Sequence, residues 1–223
     1  MASDTEPMEY NSKQLQIIGV AEKLFAEKGF SGTSVRDISQ EADINVSMIS
    51  YYFGSKEKLI EALFEVRSKD FLARLESLLL NADLSPIQKV NLMIDGVVER
   101  LIEKQCFHNI VVREQLTGNR TPIISDLLRT MKMKNLRAME GIIEEGQQLG
   151  VFQKNVDVLM LSTTLFGTIN QAISTQPFYR TVYGLEEATQ QDLDLHLKQK
   201  LSTHLKKIFR VILDQELNEA IGS

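Results

Sequence analysis

At 223 residues and a net charge of −5, the chain has room for a small domain beside a larger one, and no bulk basic surplus to attract a polyanion. Its 43% hydrophobic and 25% charged content excludes a disordered chain, while four prolines and twelve glycines leave few places to stop long helices. The lone Cys106 excludes an intramolecular disulfide, and the acidic, polar start MASDTEPMEY lacks the basic and apolar regions of a secretory signal, so a cytoplasmic location is expected.

Nearly every segment follows a 3.6-residue period, which predicts an all-α protein with no strand. Asn11 or Ser12 caps a first helix with Ile17, Ile18, Ala21, Leu24 and Phe25 inward, closed by Gly29. Thr33 is expected to cap a second, from Ser34 to about Ala42, with Val35 and Ile38 inward. Asp43-Ile44-Asn45 makes a tight connection, and Asn45 caps a third short helix ending near Phe53. Ser55 caps a long fourth, and Ser85-Pro86 opens a fifth that runs to about Lys104. A shorter helix is expected from Asn109 to Leu116, and another from Thr121-Pro122 to Leu149, closed by Gly150.

The longest uncharged run, Val158 to Tyr179, is too rich in Ser, Thr, Asn and Gln to span a membrane, so no membrane partner is expected. It predicts a helix buried against protein, begun at Asn155 or Asp157 and terminated by Pro177. A last helix, from about Glu186 to Leu217, carries Leu197, Leu201, Leu205, Ile208, Phe209, Ile212 and Leu213 on one side.

The third helix is the odd one. Val46 to Tyr52 carries no charge in a chain that is a quarter charged. At about 100° per residue, Ile49, Tyr52 and Phe53 face inward, Ser47, Met48 and Tyr51 face outward, and Ser50 lies on the flank. A solvated face would carry Lys or Glu. Small hydroxyls instead let a backbone approach a groove and bond phosphates or base edges, and a methionine can touch a thymine methyl. Two short helices joined by a tight turn have helix-turn-helix geometry. Ser55-Lys56 then places a helix N-terminus and a full positive charge beside that surface, suited to a backbone phosphate. Catalytic signatures are lacking. His108, His196 and His204 are scattered without metal-ligand spacing, and there is no phosphate loop or nucleophile triad, so neither an enzyme nor a metal or cofactor is expected.

Residues 21–64, AEKLFAEKGFSGTSVRDISQEADINVSMISYYFGSKEKLIEALF, closely resemble the DNA-binding region of the TetR family of transcriptional regulators. The resemblance rests on Gly29, Phe30 and Thr33 after the first helix, Ile38 and Ala42 in the second, and Tyr52, Phe53 and Lys56 at the end of the third. Beyond it, only helical make-up and EEGQQLGVF, residues 144–152, are similar to the family. The resemblance implies a homodimeric repressor on a palindromic double-stranded operator, released by a small molecule. It places base contacts at Val46, Ser47 and Met48, and phosphate contacts at Thr33, Ser34, Arg36, Ser50, Tyr51, Ser55 and Lys56. Three positions depart from the pattern. Val46 stands where lysine is common, Ser50 where tyrosine is common, and Asp43 where the turn usually has glycine. Residues 10–58 hold six bases and six acids, a neutrality that leaves open a regulator acting through a protein partner.

The expected organisation is a flexible tail (1–10), a three-helix DNA-binding domain (11–55) and a larger helical effector-binding and dimerisation domain (56–218). The uncharged helix and the last helix are expected to pair with their symmetry mates, since Leu159, Leu161, Leu165, Phe166, Ile169 and Ile173 exceed the needs of one inner stripe. A cavity implied by the resemblance has Met93, Val97, Phe107, Met131, Met139 and Phe166 as candidate lining, suited to an unidentified hydrophobic effector.

Overall fold

The computed structural model describes residues 10–116 and 122–214, and over these it is all-α with one antiparallel bridge, Phe152 to Asp214. Among the described residues the helices are α1 (Ser12–Lys28), α2 (Val35–Glu41), α3 (Val46–Phe53), α4 (Lys56–Leu80), α5 (Pro86–Glu103), α6 (Gln105–Leu116), α7 (Pro122–Gln148), α8 (Val158–Ser174), α9 (Gln176–Tyr183) and α10 (Gln190–Leu213). None is long and apolar enough to cross a membrane. The expected tail up to Glu9, the cap at Thr121 and the helix end at Leu217 lie outside the described residues.

Packing divides the chain into two compact units, Met1–Lys69 with Cys106–Thr130, and Asp70–Gln105 with Met131–Ser223. This division interleaves segments of sequence. The boundary expected at residues 55 and 56 does not coincide with this division.

In the first unit, α1 starts with a full capping box: the Asn11 side chain accepts from the Gln14 backbone N–H, and the Gln14 side chain accepts from Asn11 N–H. The expected apolar stripe is buried, and Phe25 packs against Phe30 at 5.5 Å between ring centres. Glu22, itself buried, takes a bidentate bond from Arg67 on α4. Arg113 on α6 donates to the carbonyl of Glu27 at 2.8 Å, which serves the otherwise unpaired C-terminal end of α1.

The second unit is built round one apolar cluster drawn from α4, α5, α7, α8 and α10, with Ile94, Ile142, Leu165, Ile169, Leu197 and Phe209 among its fully buried members. Lys89 is almost fully buried and donates to Glu145 at 2.7 Å and to the Leu79 carbonyl at 3.0 Å, so its charge is paired on entering the core. Asp157 caps α8, and the Thr163 and Thr164 hydroxyls bond the carbonyls of Leu159 and Met160, which satisfies polar groups on a helix with no charge. Gly146 is required by packing. A Cβ there would lie 2.1 Å from a ring carbon of Phe152, which closes the α7–α8 connection over α7.

Four boundaries differ from expectation. α6 begins at Gln105, ahead of Asn109, and α10 begins at Gln190 behind the cap Thr189. Pro177 does not terminate α8, which ends at Ser174; it sits in the first turn of a separate helix, α9, where its missing N–H costs nothing. Thr33 does not cap α2. Ser34 does, accepting from the Asp37 N–H.

Candidate nucleic-acid interface

The two short helices are held at a turn whose backbone is unusual. α2 ends in bonds from Ala42 N–H to the Ile38 carbonyl and from Ile44 N–H to the Ser39 carbonyl. Between them Asp43 takes φ of 49°, the left-handed region that an aspartate tolerates better than most side chains. Asn45 restarts the chain as the cap of α3, its side-chain oxygen accepting from both the backbone N–H and the hydroxyl of Ser47. Gly54, at φ of 81°, ends α3 after eight residues.

That short helix is sharply two-sided. Ile49 is 1% exposed and Tyr51 80% exposed, although they lie two residues apart. Val46, Ser47 and Ser50 are also exposed, and Met48 is partly so. Tyr52 and Phe53 are half-buried, with Tyr52 in edge contact with Tyr51 on one side and Phe53 on the other. The outward face therefore carries two hydroxyls, a phenol, a valine and part of a thioether. Within α2 and α3 the only basic side chain is Arg36, which is exposed.

The flanking residues behave differently from expectation. Thr33 is 1% exposed, and its hydroxyl donates to the Gly29 carbonyl at 2.8 Å and also faces the Leu24 carbonyl. This corrects its assignment as a phosphate contact: the side chain fixes the α1–α2 connection from inside. Lys56 is half-buried. Its ammonium donates to the carbonyls of Phe30 and Thr33, each at 2.9 Å, and lies 4.3 Å over the Phe30 ring. An ammonium has three donors, so one remains. Ser55 caps α4, its hydroxyl accepting from Lys58 N–H.

The anion-seeking positions of these helix starts already hold the chain's own carboxylates. The Glu57 carboxyl is held below its usual range by its own backbone N–H and then by the Ser55 hydroxyl. Asp37 is held below its usual range by the hydroxyl and then the backbone N–H of Ser34, with Lys28 3.7 Å away. Ser34 is exposed but already engaged by Asp37.

The candidate effector lining is divided between the two units. Met93, Val97 and Met139 are buried in the cluster of the second unit, and Phe166 packs against it. Phe107 belongs to the first unit, its ring 4.9 Å from that of Phe64. Met131 is half-buried. A feature that periodicity missed is α9, where Phe178 and Val182 are exposed. Leu159 and Met160 on α8 and Leu195 on α10 are exposed apolar side chains as well. The signal was present in the spacing, since Pro177 and Gly184 bracket the helix in start and stop positions.

Two family models match the chain. One, described as bacterial regulatory proteins, tetR family, covers residues 17–63; the other, described as tetracyclin repressor-like, C-terminal domain, covers residues 86–203. A probable HTH-type transcriptional regulator of Bacillus subtilis, YttP, is 35% identical over 136 residues, a match spanning 60% of this chain and 64% of that protein, a little under two thirds of its length. The fatty acid metabolism regulator protein of the same species is 26% identical over 184 residues, 82% of this chain and 93% of that one. Among solved structures, the transcriptional regulator FadR from Bacillus subtilis in complex with stearoyl-CoA shares the fold at a TM-score of 0.63 and 24% identity, covering 86% of this chain and 96% of that chain.

Proposed function

This chain belongs to the TetR family of bacterial regulatory proteins and is a DNA-binding transcriptional regulator, and we propose that it represses its targets as a homodimer on a palindromic operator. In this reading α3 enters the major groove, with Val46, Ser47 and Met48 against base edges and Arg36, Ser50, Tyr51, Ser55 and the remaining Lys56 donor against phosphates. The observation that carries it is the exposure of Ser47 and Tyr51 on a helix stripped of long charged side chains. Two protomers would present their α3 helices to half-sites about 34 Å apart, one turn of duplex.

The exposed apolar side chains on α8, α9 and α10 support dimerisation through the last helices of the chain. The effector is a hydrophobic small molecule taken up by the second unit. The similarity to a Bacillus subtilis fatty acid metabolism regulator, and to a FadR structure from that species solved with stearoyl-CoA, favours an acyl compound. The functional division then follows residues 11–55 for operator binding and 56–218 for effector and partner. The protein works in the cytoplasm, and no catalytic step, metal or cofactor forms part of the proposal.

The test is footprinting on the DNA upstream of its own gene, followed by binding of the protected fragment. Tyr51→Ala with Ser47→Ala is expected to weaken binding by about tenfold or more, since it removes a base-edge contact and a phosphate hydrogen bond, the latter worth about 1.5–3 kcal/mol. Thermal melting and sedimentation of the variant should match the parent. Normal binding by that variant would remove α3 from the interface and favour a protein partner instead.

A further inference from the structure

The second unit carries a groove of about 660 Å³ between the first turn of α5, the α7–α8 connection and the last turns of α10. Small-molecule sites have volumes of roughly 300–1,000 Å³. Its floor is apolar and includes Ile87, Val151, Phe152 and Leu213. Phe152 and Leu213 are core residues, 3% and 0% exposed, so the floor is the edge of the unit's own core.

The rim has the opposite character. Lys207 and Arg210 line it, both exposed and neither with an ion-pair partner among the described residues. They lie three apart on α10, the spacing at which like charges share a face and repel. Lys206 also lines the groove, but its ammonium is held by Asp95 at 2.6 Å. Asp214 is the single acid in the lining, against three bases. An anion seated between Lys207 and Arg210 relieves their repulsion and gains charge-assisted hydrogen bonds.

The walls are already in place. Gln153 N–H donates to the Leu213 carbonyl at 3.0 Å, and the Gln147 amide donates to the Gln153 carbonyl at 3.0 Å. Binding therefore requires little loop ordering, which is the usual tax on affinity.

We propose that this groove binds a small amphipathic anion, with an apolar body on the Phe152–Leu213 floor and a carboxylate or phosphate head between Lys207 and Arg210. It is a second site, sharing no lining residue with the Met93, Val97 and Met139 interior, and it does not rest on the operator reading. Calorimetric titration of the full chain with octanoate and with octyl phosphate tests it, with octylamine and octanol as controls; the preferred head group separates carboxylate from phosphate ligands. Saturable binding of at least one anion is expected. One class of site should weaken by about ten- to hundredfold in Lys207→Glu/Arg210→Glu, the loss that follows removal of charged hydrogen bonds. Ile87→Trp should abolish the same class by filling the groove. Lys207→Ala/Arg210→Ala gives a milder control, and all variants should melt like the parent. No saturable anion binding, equal binding of octanol, or anion binding unchanged in both groove variants would overturn the proposal.

Discussion

The Lys56 ammonium donates to the Thr33 carbonyl at 2.9 Å, joining the start of α4 to the segment that launches α2. The same ammonium serves the Phe30 carbonyl, so one side chain answers two carbonyls of a connection that has no helix to satisfy them. Lys56→Ala should therefore cost stability as well as operator affinity. Loss of a charged hydrogen-bond donor to two carbonyls is worth about 1–3 kcal/mol, or roughly 2–4 °C of melting temperature per kcal/mol at this size. A Lys56→Ala protein that melts like the parent would show the tether to be dispensable.

Asp43 holds a left-handed backbone that glycine adopts freely. Asp43→Gly is expected to raise stability by about 0.5–1 kcal/mol in denaturant unfolding. It also removes an exposed acid from the turn between α2 and α3, so operator affinity should rise most at low salt. An unchanged or lower denaturation midpoint would show that the aspartate side chain repays its conformation locally.

Few free cations surround α3, because Lys28 is paired with Asp37, Lys58 with Glu61, and Lys56 is spent mainly on carbonyls. Affinity for the operator should accordingly fall shallowly with salt, each neutralised phosphate contributing about 0.9 to the logarithmic slope. Nonspecific binding should be weak. A salt titration as steep as that of strongly basic repressors would contradict this account.

His108 is 4% exposed, and burial holds its imidazole below the ordinary value of about 6.5. The folded protein thus resists a proton that the unfolded chain accepts. This stability is present above that ordinary value and drains away as pH falls from there toward the folded value. Glu114 on the same helix works against the loss, because burial raises its carboxyl and protonation there favours the fold. Denaturation midpoints measured downward from neutral pH should decline less steeply in His108→Gln than in the parent.

Leu159 and Phe178 are 61% and 67% exposed on neighbouring helices of the second unit. Leu159→Asp with Phe178→Asp should yield a folded monomer by sedimentation. Operator affinity should then fall by well over tenfold, since the gain from joining two half-sites disappears. A variant that stays dimeric would move the interface to another surface.

Much of this architecture was legible in the apolar period. Ile17 to Phe25 on α1 and Leu197 to Phe209 on α10 are buried in the pattern their spacing implies, and Ile49 and Tyr51 fall on opposite sides of α3 as a helical wheel requires. The caps at Asn11, Asn45, Ser85 and Asp157 were readable, while α6 and α10 begin four residues from the starts expected for them. Ser34 and Thr33 are interchangeable as N-caps by chemistry, and only the position of the Gly29 carbonyl decides that Thr33 turns inward. Pro177 misled because a proline that stops one helix is equally suited to begin the next. The Lys56 tether and the α5–α10 groove were invisible for another reason. Each depends on groups brought together by packing, Phe30 with Lys56 and Ile87 with Arg210, and no local periodicity records such meetings.

The close approach of Phe152 to Gly146 makes one hydrogen atom on α7 answerable for the far end of the chain. Exchange it for a methyl group and the ring must withdraw, taking with it the main-chain link from Gln153 to Leu213 and loosening the final coil of α10. A library randomised at codon 146 and selected for resistance to proteolysis should therefore return glycine almost alone, even though nothing on the operator side of the molecule is touched.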